Sequence, residues 1–229
     1  MKLLPPDALV RTGPVDHADW NFRPVLGAVS RQRFHLVVSL LPREPRSALL
    51  EIGYGSGIFM PELASHTTRL AGVDIHAQTG PVTAALAAAG VRAELVRTDG
   101  IRLPFPDGTF NTIVAVSALE FIEDLPAACR EMRRVLAPGG RLIAVMPGNS
   151  PLLDLALRLT TGESAKSDYG DRRTAVLPTL TEYFRVEKSA IFPPLLGQAV
   201  PIYTALRFRP RHRIRTSVRI KRGPSKKWA

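Results

Sequence analysis

Residues whose types and spacing can do chemistry first gather in Leu49-Leu50-Glu51-Ile52-Gly53-Tyr54-Gly55-Ser56-Gly57-Ile58-Phe59. An apolar strand breaks there into a turn with glycine at alternate positions, and a helix opens. Glycine lets the backbone turn sharply and lets a ligand approach with no Cβ in the way. At the carboxyl end of a strand in an open α/β sheet, such a turn is where nucleotides bind. Alone, the run also reads as an ordinary tight turn. A second strand signal, Arg69-Leu70-Ala71-Gly72-Val73-Asp74-Ile75, ends in a carboxylate seventeen residues beyond Gly57. An acid so placed can accept hydrogen bonds from two vicinal ribose hydroxyls, or it can cap the following turn.

Spacing separates the nucleotide classes. A dinucleotide fingerprint requires a small residue where this chain has Ile58. The third glycine instead comes one residue early, at Gly57, and Glu51 sits two before Gly53. This arrangement resembles motif I, E/D-x-G-x-G-x-G, of the class I S-adenosylmethionine-dependent methyltransferases, which makes NAD the poorer explanation. Two further stretches are similar to family signatures. Asp99-Gly100-Ile101-Arg102-Leu103-Pro104-Phe105-Pro106-Asp107-Gly108-Thr109-Phe110-Asn111 follows D-x-x-x-L-P-F-P-D-G-x-F-D, with Asn111 replacing the usual final Asp. Leu136-Ala137-Pro138-Gly139-Gly140 follows L-x-P-G-G ahead of an apolar strand. The likeness covers roughly residues 47–147 and is closest to the small type 11 branch.

The resemblance implies S-adenosyl-L-methionine as cofactor, with S-adenosyl-L-homocysteine as product. The implied binding residues are Glu51, Gly53, Tyr54, Gly55, Gly57, Asp74, Ile75, Asp99, Gly100 and Ser117. Asp74 would take the ribose, Ile75 would pack on the adenine face, and Asp99 would accept from the adenine amino group. The implied fold is α/β: a Rossmann-like seven-stranded sheet, mostly parallel with a C-terminal antiparallel hairpin, and helices on both faces.

The elements that must position these groups are legible in the flanking pattern. Thr112-Ile113-Val114-Ala115-Val116-Ser117 suits a buried parallel strand, with residues 118–124 as the loop above it. Residues 125–136 read as a helix with Pro126 near its first turn, residues 137–140 stop it, and residues 142–146 form the fifth strand. Residues 1–46 form a cap whose helix spans 25–41, with Val29, Phe34, Val37, Val38 and Leu41 toward the sheet. His17, Trp20, Phe22 and Arg23 either meet the substrate or staple the helix start. Residues 149–159 read as a helix. Residues 160–174 are a polar stretch, either a lid over the acceptor, as the resemblance implies, or a solvated connector. A helix near 176–184 and strands near 185–191 and 202–208 complete the sheet. The domains expected are the cap (1–46), the methyltransferase domain (47–208) and a basic tail (209–229).

Methyl transfer from a sulfonium is an in-line displacement, so the enzyme's main task is alignment, and no nucleophile motif is required. A hydroxyl acceptor needs a base within reach. Glu120 is the first candidate, with His76 and Tyr169 behind it, although Glu120 can equally be a helix-start carboxylate. Phe121 occupies a position where relatives often carry histidine. The aromatic tetrapeptide of nucleic-acid amino methylation, N/D-P-P-Y/F/W, is missing from Val116-Ser117-Ala118-Leu119.

Bulk properties bound the remainder. The 229 residues suffice for one core, and 45% apolar residues suit a globular protein with no stretch approaching the roughly 18 to 20 apolar residues of a membrane span. The N-terminal apolar run is too short for a secretory signal, so a cytoplasmic place is expected, with a peripheral place at the membrane as the variant. Cys129 has no disulfide partner and reads as a small packing residue, and the spacing of the five histidines gives no metal site. From Arg207 to Ala229 there are seven arginines, three lysines and no acid, nearly all of the formal net charge of +11. That stretch can meet an anionic membrane surface or RNA, or remain solvated. The function expected is methyl transfer to a small-molecule or lipid-like acceptor. The alternatives are an RNA methyltransferase, or a regulatory protein that binds the cofactor without transfer.

Overall fold

The computed structural model describes residues 1–13, 16–42, 48–148, 172–194 and 201–211. Seven strands, β1 (Ala48–Ile52), β2 (Arg69–Asp74), β3 (Glu94–Arg97), β4 (Phe110–Val116), β5 (Leu136–Pro147), β6 (Phe184–Phe192) and β7 (Tyr203–Pro210), form one sheet. Their order is β3-β2-β1-β4-β5-β7-β6. The first five run parallel, β7 runs antiparallel to β5, and β6 antiparallel to β7. The mostly parallel sheet with an antiparallel end is the one expected from the sequence.

The sheet is covered on both sides, which explains why its central strands are apolar throughout rather than alternating. In β4, Ile113 and Ala115 join one buried cluster and Val114 joins the other. On one face lie α2 (Gln32–Leu40), α3 (Met60–Ala64) and α4 (Thr79–Ala88), which contribute Phe34, Val37, Leu40, Leu63, Val82 and Leu86. On the other lie α5 (Leu125–Val135) and α6 (Arg172–Tyr183), with Ala128, Cys129, Met132, Val176 and Leu180. Fully burying side chains such as Met132 contributes about 1.5–3 kcal/mol each.

Helix α5 begins where its sequence says it should. The Asp124 side chain accepts from the Ala127 amide at 2.8 Å, Pro126 sits in the first turn, and Arg133 and Arg134 face the negative helix end. Its apolar residues Leu125, Ala128, Cys129, Met132 and Val135 recur at helical spacing and are all buried. Cys129 is a packing residue there, its thiol pushed up to about 12 by burial.

Three elements differ from the sequence reading. The single helix expected over 25–41 is two, α1 (Pro24–Ser30) and α2, interrupted at Arg31. Arg31 keeps right-handed helical angles and its amide still reaches the Gly27 carbonyl at 3.0 Å, so the hydrogen-bond ladder slips without a turn. Strand β5 starts at Leu136 instead of residue 142. Phe110 pairs with Leu136 and Thr112 already with Arg141, so the Pro138-Gly139 stretch bulges from the ladder. Helix α6 starts at Arg172, four residues before the expected 176, and carries Pro178 inside it. The helix expected over 149–159 and most of the polar stretch 160–174 lie outside the described residues.

Candidate functional site

The carboxyl ends of β1, β2 and β4 open into a cavity of about 900 Å³. It sits where the strand order reverses between β1 and β4, the place where open α/β sheets leave a crevice. Glu51, Gly53, Tyr54, Gly55, Asp74, Ile75, Asp99, Gly100, Ser117 and Glu120 all line it. Gly57 does not.

Each glycine of the turn does separate work. Gly53, at φ +75°, would place a Cβ 2.4 Å from the Ala118 Cβ, so only hydrogen lets the turn approach the loop after β4. At Gly55 a Cβ would meet nothing nearer than Asp16 Oδ1 at 4.0 Å, so it would occupy the cavity itself. A Cβ on Gly57 would lie 3.0 Å from Val82 Cγ1, which makes Gly57 a packing position against α4.

Asp74, at the end of β2, is tied to this turn. Its Oδ2 accepts from the Gly55 amide at 2.8 Å, and its Oδ1 accepts from Ile75 at 2.7 Å and His76 at 3.4 Å. Of the roughly four lone-pair positions of a carboxylate, this leaves one, on Oδ2. The two ribose hydroxyls expected from the sequence therefore meet capacity for one further strong bond. Ile75 is 66% exposed at the mouth. Asp99 lies on the exposed rim, with Oδ1 accepting from the Ile101 amide at 3.1 Å. Tyr54 stands below, its hydroxyl 3.2 Å from Thr79 Oγ1 and its ring edge-on to His76.

His76 is not placed to act as a base. Its Nδ1 accepts from the Gln78 amide at 3.0 Å, so the ring proton sits on Nε2, which lies 3.0 Å from the Gly55 carbonyl and donates to it. Nε2 thus holds the glycine turn, and Nδ1 holds the start of α4. Tyr169 lies outside the described residues.

Several buried polar atoms of the lining have no hydrogen-bond partner among the described residues. Glu51 is buried, Oε2 has no hydrogen-bond partner among the described residues, and burial together with the nearby Asp74 charge raises its pKa well above the carboxylate range. Ser117 takes φ +50°, a left-handed angle unusual for a residue with a Cβ, and its buried hydroxyl is likewise unpartnered. Glu120, in a short 3-10 turn at Leu119–Phe121, is 2% exposed, and neither carboxylate oxygen has a partner among the described residues. Burial raises its pKa to about 7, with its own backbone amide, then Arg173 and Arg33, pulling it down less strongly.

Among the lining residues absent from the sequence candidates are Asp16, Arg33 and Arg173. Asp16 lies over Gly55 and is fixed by Thr12 and the Ala18 amide. Arg33, on α2, stacks 4.8 Å over Phe34, and its Nε is buried without a partner among the described residues. Arg173, on α6, lines the same space. Leu26, Val29, Ser30 and Arg33 recur at helical spacing, a signal that could have placed Arg33 on the cavity face. His17 and Trp20 also line the cavity, whereas Arg23 pairs with Asp19 at 2.9 Å.

Residues 50–144 match the family model described as "Methyltransferase domain", type 11. The sterol 4-C-methyltransferase strm-1 of Caenorhabditis elegans is 35% identical over 97 residues, covering 41% of this chain and 29% of that protein. The phosphatidylethanolamine N-methyltransferase of Cereibacter sphaeroides is 29% identical over 172 residues, covering 71% and 80%. Against four curated relatives the match spans 29% to 55% of their length. Among solved structures, the N-methyltransferase NodS from Bradyrhizobium japonicum WM9 in complex with S-adenosyl-L-homocysteine superposes with a TM-score of 0.57 at 21% identity, covering 88% of this chain and 95% of that one. At that identity the likeness concerns the fold.

Proposed function

We propose that this chain, whose residues 50–144 are a class I methyltransferase domain of the type 11 branch, transfers a methyl group from S-adenosyl-L-methionine to a small-molecule or lipid-like acceptor. The observation that carries the reading is the meeting, in one cavity, of the glycine turn, Asp74, Asp99 and Ser117 with the buried carboxyl of Glu120. The site fits the cofactor: the cavity begins where a Gly55 Cβ would stand, and Glu51 Oε2 and Ser117 Oγ lack partners there among the described residues. Gly53, Gly55, Gly100, Tyr54 and Ile75 would line its place, with Asp74 on the ribose and Asp99 on the adenine. The bound cofactor supplies a methyl group on a sulfonium sulfur.

The chain's own residues then orient and exclude water. Phe34, Ile58, Phe59 and Val116 give the cavity apolar walls. Alignment of the reacting groups accounts for about 7–11 kcal/mol of barrier lowering in well-oriented pairs. Glu120 takes the acceptor's proton.

The relatives named for sterol and phosphatidylethanolamine methylation favour lipid-like acceptors. They also favour an anionic membrane surface over RNA for the basic stretch, most of which, residues 212–229, lies outside the described residues. Arg207 itself belongs to β7, with its Nε 3.4 Å from Glu187 and its Nη1 donating to the Leu40 carbonyl. The cap, the catalytic domain and the basic stretch are proposed as the working parts. The test is incubation of the full chain with methyl-labelled cofactor and fractionated lipid, small-molecule and RNA pools. Label in the organic-soluble fraction supports the reading, and label confined to RNA, or absent from all pools, overturns it.

A further inference from the structure

The cap meets the glycine turn at a carboxylate. Asp16 lines the cavity, and its Oδ1 lies 4.0 Å from where a Gly55 Cβ would stand. Neighbours in its own segment hold the side chain in place. Oδ2 accepts from the Thr12 amide at 3.2 Å and the Thr12 hydroxyl at 2.7 Å, and Oδ1 accepts from the Ala18 amide at 3.2 Å. A carboxylate has roughly four lone-pair positions, so among the described residues the open one is on Oδ1, the oxygen nearest Gly55. A second acceptor opens on the same cavity. Glu51, next to last in β1, is 3% exposed, and its Oε2 is buried with no partner among the described residues. A buried oxygen of that kind is costly until a donor reaches it.

The strand order sets the direction of a ligand across this space. Asp99 follows β3, Asp74 ends β2 and the glycine turn follows β1, and these strands are neighbours in the order β3-β2-β1-β4. With adenine at Asp99 and ribose at Asp74, the rest of the cofactor extends over β1 and β4, past Gly55. That remainder is an amino acid joined through sulfur, and it carries two cationic centres. A sulfonium has no N–H and cannot donate to a carboxylate, whereas an ammonium brings three donors.

We propose that Asp16 Oδ1 accepts a hydrogen bond from the α-ammonium of the cofactor's amino-acid end, with Glu51 Oε2 as a further acceptor for the same group. The assignment rests on the methyltransferase reading above and adds a residue of the cap to the cofactor site. It makes the pocket select its cofactor by the amino-acid end as well as by the adenosine. Because the other bonds of Asp16 go to Thr12 and Ala18, the same contact ties that part of the cap to the bound ligand.

The test titrates the full chain by calorimetry with two ligands, S-adenosyl-L-homocysteine and its deaminated analogue, in which hydrogen replaces the α-ammonium. Wild type is expected to bind the first at least about tenfold more tightly, the discrimination expected of one charge-assisted hydrogen bond. Asp16→Asn keeps an acceptor for the Ala18 amide but loses the charge. It should reduce the preference to about threefold or less, by weakening S-adenosyl-L-homocysteine while the analogue stays within about twofold of its wild-type affinity. A second readout needs no variant. At equal occupancy of wild type, S-adenosyl-L-homocysteine should slow hydrogen exchange at the Thr12 and Ala18 amides more than the analogue does. Equal affinity of wild type for the two ligands, a preference unchanged in Asp16→Asn, or equal protection of those amides overturns the proposal. Failure of wild type to bind S-adenosyl-L-homocysteine is a separate outcome, and it overturns the cofactor reading and this proposal together.

Discussion

The Gly55 amide donates to Asp74 Oδ2 across 2.8 Å, which locks the turn after β1 to the end of β2. One residue thus serves both strand ends, and the proposed function gives its carboxylate a second duty toward the ribose. Asp74→Ala should weaken S-adenosyl-L-methionine binding at least about tenfold, the loss expected of one charged hydrogen bond at about 1.5–3 kcal/mol. Asp74→Asn, which keeps an oxygen for the Gly55 amide, should retain the fold. Calorimetry with circular dichroism on both variants checks this, and unchanged affinity in a folded variant would remove Asp74 from the site.

Glu120→Gln should lower turnover by about 10²- to 10⁴-fold, the range for loss of a positioned base. The same change should stabilise the protein. The native state holds the Glu120 proton up to about 7 against an ordinary 4.5, so burial disfavours folding progressively as pH rises from 4.5 to 7. Above pH 7 the full penalty applies, about 3 kcal/mol at about 1.4 kcal/mol per pKa unit. Thermal melts should therefore separate wild type and variant most at pH 8 and least near pH 4. Wild-type activity should rise with pH through about 7, and a flat profile with equal melting curves would exclude Glu120.

Gly53→Ala should be severe for two reasons. The backbone is held at φ +75°, and the added methyl would lie 2.4 Å from the Ala118 Cβ. The strain and overpacking together cost about 2 kcal/mol or more. Denaturant unfolding should register that loss, together with weaker cofactor binding as the turn and the β4 loop are forced apart. Gly55→Ala should instead fold with a smaller loss and block the cavity.

Arg134 holds the turn at 103–108. It donates to the Leu103 and Phe105 carbonyls and to Glu131 and Asp107, each at 2.8 Å. Arg134→Ala leaves two carbonyls and a half-buried carboxylate without their donor, at a cost of about 2–3 kcal/mol. Arg134→Lys, a point charge without the planar fork, should recover only part. Chemical denaturation distinguishes the three proteins.

The positions of the parallel strands along the chain could be read from local signals, and the terminal hairpin followed from the family resemblance; ten of the eleven candidate site residues line the cavity. The glycine turn, an apolar run ending in Asp74 and a β-branched run ending in Ser117 need no distant contact to be recognised. What escaped depends on tertiary placement. Gly57 has the same motif position value as its neighbours, yet the nearness of Val82 and Leu86 gives it a packing role. His76 resembles a free base in the sequence, but two backbone groups occupy its ring. Arg33 and Arg173 are far apart in the chain, and only the packing of α2 on one face of the sheet and α6 on the other brings both to the cavity that Glu120 lines.

The central claim is that this cavity takes the sulfonium cofactor. Calorimetric titration of the full chain with S-adenosyl-L-methionine and, separately, with NAD tests it most directly. Saturable binding of one S-adenosyl-L-methionine per chain with no heat from NAD is the predicted result. NAD binding, or no binding of S-adenosyl-L-methionine to the folded protein, would contradict it.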